Sequence, residues 1–118
     1  MSPDQAISAL DRALAVHGQP ATLRRTVGLG TSVTMHDVAV RIRADDYQPD
    51  ELVGGIMQGE TKVILSPTQI LAAAWPGPQD WPRIGDTIVI DGRERRILSA
   101  PPKQIDGTVV RIDMRVAG

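Results

Sequence analysis

Hydrophobic residues recur every three or four positions near the start of the chain and every second position through most of the rest. In "SPDQAISALDRALAVHG", Ile7, Leu10 and Leu14 fall on one helical face with Ala6 and Ala13 beside them. Ser2 is placed to cap this helix, Pro3 suits its first position, and Gln5 completes a capping box. His17 stands in the last turn, where partial positive charge is favoured, and Gly18 is a natural stop. The spacing predicts a helix over 3–17.

After Pro20 the period becomes two. "ATLRRTV" (21–27) reads as a strand that Gly28 and Gly30 end, and in "TMHDVAVRIRA" (34–44) Val38, Val40 and Ile42 alternate with Ala39, Arg41 and Arg43. "TKVILS" (61–66) is a short strand closed by Pro67, and "SPTQILAAAW" (66–75) has room for one or two helical turns. "GDTIVIDGRERRILSA" is a hairpin about Asp91-Gly92, a strong two-residue turn signal. "PPKQIDG" reads as a connection, and "TVVRIDMRV" (108–116) sets Val110, Ile112, Met114 and Val116 against Arg111, Asp113 and Arg115. Strands joined by turns rather than helices predict a mainly β chain: a small antiparallel β-barrel of about six strands with an N-terminal α-helix. The whole is read as one domain, 1–118, with the helix at 3–17, the barrel from 21 onward and a long inserted loop at about 44–61.

Composition sharpens this picture at a few points. With no Phe, one Tyr and two Trp, the core must be built from Val, Ile, Leu and Ala. A net charge of −1 gives no overall basic field to gather nucleic acid. The absence of cysteine excludes a disulfide framework and a thiolate metal site. Asp4 and Asp11, with no basic run before the apolar residues, do not fit a signal peptide, and no apolar stretch approaches transmembrane length. A soluble intracellular protein without membrane contact is the expectation.

"LVGGIMQGETK" (52–62) has glycines at the spacing of a phosphate-binding loop, Gly54 and Gly59. Yet Glu60 takes the position of the essential lysine, Thr61 comes one residue late for a magnesium ligand, and a β-rich segment follows where a helix must begin. His17 and His36 are the only histidines and lack metal-ligand spacing, while Asp45 and Asp46 are adjacent and point to opposite faces of an extended chain. The reading is therefore no enzyme, with no catalytic residue, metal or cofactor.

Two features point instead to contacts with other chains. From Ala44 to Thr61 there are five acidic residues, Asp45, Asp46, Asp50, Glu51 and Glu60, and no Lys or Arg. The same segment carries Ile56 and Met57 on a glycine frame, so it is a candidate interface or channel loop. Arginine supplies 11 of the 13 basic residues. Arg41 and Arg43 share one strand face, as do Arg111 and Arg115, and all four are candidates for pairing with the acidic loop of a neighbouring subunit. Solvated outer strand faces account for the same arginines without a partner.

"WPRIGDTIVIDGRERRILSAPPKQIDGTVVRIDMRVAG" resembles the end of head-closure (stopper) proteins of long-tailed bacteriophages, related to lambda's tail-attachment protein. Gly85-Asp86 opening a strand, the Asp91-Gly92 turn and the final strand 109–116 fall in the order seen there. "LVGGIMQGETKVILSPTQI" is similar to phage and gene-transfer-agent neck proteins, and the resemblance covers about residues 21–118. It implies a ring of copies of this chain, most often a hexamer, between the portal adaptor and the tail terminator or tail tube. Such a ring sits in the virion neck, is assembled in the host cytoplasm, and holds or passes packaged DNA without sequence-specific binding. Two other readings fit the same elements: a nucleic-acid-binding SH3-like or OB-type barrel, and a tail terminator or minor tail subunit.

Overall fold

The computed structural model describes residues 2–28, 30–46, 60–73, 75 and 81–117. Helix α1 (Pro3–His17) has the predicted bounds. The Gln5 backbone N–H donates to Ser2 Oγ at 3.2 Å and the Ser2 N–H donates to Gln5 Oε1 at 3.0 Å, so the capping box closes in both directions.

Seven strands follow: β1 (Gln19–Val27), β2 (Thr34–Asp46), β3 (Thr61–Leu65), β4 (Thr87–Ile90), β5 (Arg93–Ser99), β6 (Pro102–Ile105) and β7 (Thr108–Val116), with a short helix α2 (Thr68–Ala73) after β3. Their order is β3-β2-β1-β4-β5-β7, and β3 pairs back onto β7, closing six antiparallel strands into a barrel. Following the register once round the wall returns to β2 roughly ten residues further along, a stagger that tilts the strands around a filled interior.

The predicted alternation holds along this wall. Leu23, Ile42, Leu65, Ile88, Ile97 and Ile112 point inward and are essentially inaccessible, each contributing roughly 1.5–3 kcal/mol by leaving water. Ile70 of α2 and Trp75 just beyond it join the same cluster, and the Trp75 indole N–H donates to the His36 carbonyl at 2.6 Å. Helix α1 lies outside the barrel against β2 and β7, with Leu14 as its buried residue. Thr68 Oγ1 donates to Asp11 at 2.7 Å and ties α1 to the start of α2.

The sequence "PPKQIDG" proves to be more than a connection. It contains β6, which pairs with β7 from Pro102↔Ile112 to Ile105↔Thr108, with Val110 as an extra residue in the ladder. Asp106 and Gly107 turn this hairpin with φ of 50° and 78°, nearly repeating Asp91 and Gly92 at 52° and 77°. Both are tight turns with two consecutive left-handed residues, which suit the twist of the strands they join.

Candidate functional site

The outer wall of the barrel is laced by short ion pairs between arginine and carboxylates. Arg24 on β1 faces Asp37 on β2 in register and donates to it through Nε at 3.0 Å and Nη2 at 3.1 Å. Its remaining arm, Nη1, reaches Glu94 on β5 at 2.8 Å. These bonds, Asp37 first and then Glu94, hold the guanidinium pKa above its ordinary value. On β7, Arg111 forks onto Asp113 at 2.6 and 3.1 Å, and Lys103 of β6 reaches the same carboxylate at 3.1 Å. Burial alone would raise the Asp113 pKa; the bonds from Arg111 and Lys103 outweigh it and hold the group below its ordinary value. Arg111 is raised by the same contact.

Each of the four arginines expected to pair across subunits has a partner in its own chain. Arg41 lies against the C-terminus of α1 and donates to the carbonyls of Leu14 at 3.2 Å and Gly18 at 2.8 Å, a cationic cap on the negative end of the helix. Arg43 Nε donates to Asp45 at 3.1 Å, with both side chains about half exposed. Arg111 serves Asp113, as above. Arg115 Nε lies 3.2 Å from Glu60, but the angles give no hydrogen bond and both atoms are buried. The pair is a charge contact at the foot of β3.

Of the acidic candidates, Asp45 and Asp46 end β2 opposite Lys62 and Thr61, while Glu60 leads into β3. Asp50, Glu51, Ile56 and Met57 lie outside the described residues. An open cleft of about 640 Å³ beside this end of β2 is lined by His17, Gln19, Arg43 and Asp45. Among the described residues no group of three or more His, Asp or Glu side chains converges as a metal ion requires.

The most buried charges escaped the sequence reading. Arg25 donates to Asp86 through Nε at 2.8 Å and Nη2 at 2.7 Å, and also to the Trp81 carbonyl at 3.0 Å. Its guanidinium carbon stands 4.8 Å from the centre of the Trp75 ring, within cation–π range. Asp86 accepts in addition from the Arg83 backbone N–H at 3.0 Å. One side chain thus joins β1, the segment before β4 and the tryptophan after α2. A signal existed: Arg25 follows Ala21 and Leu23 in the inward two-residue register.

Exposed apolar groups gather at this same end. The last rungs of the β1–β2 hairpin, beyond Arg24, have no β4 partner, and β3 pairs with β2 only from Ile42 onward. The hairpin therefore projects past its neighbours, and Val27, Val33 and Met35 stand exposed on it. Its turn depends on Gly28, whose φ is 112° and where a Cβ would lie 2.2 Å from the Ser32 carbonyl oxygen. Close by, the segment before β4 and the end of β5 splay around a second open cleft of about 640 Å³, with Trp81, Pro82, Ile84 and Ala100 in its lining.

The described residues thus form a closed antiparallel barrel with a charge-paired wall and one end that exposes apolar side chains. No protein-family model matches the chain. No curated protein matches it either. Among the described residues, no helix is long and apolar enough to cross a membrane.

Proposed function

We propose that this chain is a structural protein of a virion neck, one that closes the DNA-filled head and joins it to the tail as a ring of identical copies. What supports the reading is a closed barrel whose β2–β3 connection is the acid-rich segment, taken with the sequence resemblance of residues 21–118 to head-closure proteins. A ring subunit needs a rigid body with distinct surfaces at its ends, and a closed wall leaves few open strand edges for uncontrolled pairing. Carboxylates facing a DNA channel would repel phosphates and keep the duplex from adhering, the reverse of a basic binding surface. In this reading the 45–60 segment lines the channel or meets the adjoining ring.

A small barrel that binds nucleic acid is the runner-up. It fits less well because Arg24, Arg43 and Arg111 are already engaged by carboxylates along the wall. The decisive experiment removes the gene from its phage or prophage and images the particles by electron microscopy. Emptied or leaking heads beside finished, unattached tails are expected. Normal virions would overturn the reading, and defective tails with intact heads would favour a tail terminator.

A further inference from the structure

Ile-Asp-Gly occurs twice in this chain, at 90–92 and 105–107; nowhere else does Asp precede Gly, and there is no asparagine. Glycine has no side chain to shield its amide nitrogen, so an Asp-Gly pair leaves that nitrogen free to approach the aspartate carboxyl carbon. Both pairs stand exposed in two-residue turns, with Asp91 and Asp106 at φ of 52° and 50°. The same chemistry is thus presented twice in nearly the same local geometry.

The folded turn itself resists the reaction. In a turn of this type the Asp ψ lies at about +30°, which sets the Gly nitrogen almost opposite Cβ across the Cα–C bond. Closing a ring needs the two side by side, so the turn must open first. Opening is not equally costly at the two sites. Asp91 lies between β4 and β5, and β4 is paired on both sides, with β1 and with β5, inside the closed wall. Asp106 lies between β6 and β7, and β6 is a four-residue strand that pairs with β7 alone. Its ladder is interrupted by a register shift between Lys103 and Gln104. A short edge element of this kind opens locally at a lower free energy than a strand within the wall.

We propose that Asp106 is a site of spontaneous isoaspartate formation in the folded protein, whereas the wall protects the identical pair at Asp91. The Gly107 nitrogen bonds to the Asp106 side-chain carboxyl carbon, and its proton leaves with the carboxyl hydroxyl as water, giving a succinimide. Water then adds to either ring carbonyl. Breaking the bond from nitrogen to the side-chain carbon restores aspartate. Breaking the bond from nitrogen to the main-chain carbon leaves the chain running through the side-chain carbonyl, with the α-carboxylate free. Water lost in the first step returns in the second, so the net change is an isomerisation. The product carries one extra main-chain atom inside a two-residue turn, so Ile105 and Thr108 lose their register and β6 is released. Lys103 then leaves Asp113, and the uncovered edge of β7 is open to pairing with another strand. Neither the site nor its chemistry rests on the neck reading.

The full chain is incubated at neutral pH and physiological temperature in water enriched in heavy oxygen, then digested with trypsin in ordinary water. Each passage through the succinimide leaves a heavy oxygen in the aspartate, and trypsin places the two sites in separate peptides, 84–93 and 104–111. In the folded protein, label is expected to accumulate in 104–111 on the order of tenfold faster than in 84–93, a ratio set by the difference in opening free energy. Part of the labelled 104–111 peptide should elute apart as the β-linked isomer. In denaturant both turns are open and the two peptides should label alike. Equal rates in the folded protein, faster label in 84–93, or a folded protein that labels neither while the denatured chain labels both would overturn the proposal. Asp113→Asn, which removes the carboxylate partner of Lys103, should quicken 104–111 alone. Equal acceleration of both peptides would show that the turn opens only with the whole fold, and would overturn it too.

Discussion

Arg25 occupies a strand position that alternation reserves for an aliphatic side chain, and it is held there by Nε and Nη2, which donate to Asp86 and the Trp81 carbonyl, and by the Trp75 ring beneath its guanidinium. Removing the arginine strands a buried carboxylate. Arg25→Met is expected to cost about 3–5 kcal/mol in a denaturant titration. Adding Asp86→Asn neutralises the stranded charge while keeping an acceptor for the Arg83 N–H, so the double variant should be more stable than Arg25→Met alone. Equal stabilities would mean that the pair carries no special weight. Asp113 makes a second prediction. Its folded pKa lies below the unfolded value of about 3.9, so its contribution is complete above that pH and is lost as pH falls through the folded pKa. Below about pH 4, Asp113→Asn should therefore lose stability less steeply than the wild type, seen as a flatter fall in Tm with acid. Arg25 could have been suspected from its register with Leu23, but only pairing in three dimensions brings Asp86, 61 positions away, to meet it.

Helix α1 was fully legible because its signals are local: a capping box, Pro3, an apolar stripe and Gly18 all lie within the segment they define. What holds it to the barrel was not, since Arg41 appeared only as one of two basic residues on an outward strand face. Its donation to the carbonyls of Leu14 and Gly18 makes it the cap of a helix 23 or more positions away in sequence. Arg41→Ala should cost about 1 kcal/mol, the scale of a cation at a helix C-terminus. Amide exchange should quicken in the last turn of α1 and stay unchanged in β7; uniform exchange would place Arg41 outside the helix's stability. Strand β6 was missed for an opposite reason. Pro101 and Pro102 open a segment that reads as a connection, although Asp106-Gly107 is the same turn signal that correctly marked Asp91-Gly92. Proline is compatible with the first residue of an edge strand, and β6 pairs only with β7.

The barrel as a whole divides labour between a closed wall and an interruption in it. The wall was readable from period-two alternation, whereas its closure by β3 on β7 was foreseen only as a fold class, because no local residue specifies which strands meet. Asp46 and Thr61 are opposite one another in the β2–β3 ladder, so fourteen residues separate two positions that are already neighbours. Deleting residues 50–59 leaves four residues to span the gap and, by loop-closure entropy, should stabilise the fold by about 1 kcal/mol. The shortened protein is expected to keep the wild-type denaturation slope and an equal or higher Tm. On the neck reading proposed above, the shortened protein should fail to close heads or seat tails, since the deletion removes Asp50, Glu51, Ile56 and Met57 together. A shortened protein that folds well and still yields normal virions would show that the acid-rich segment has no part in the neck; one that does not fold would show that these residues belong to the barrel's own stability.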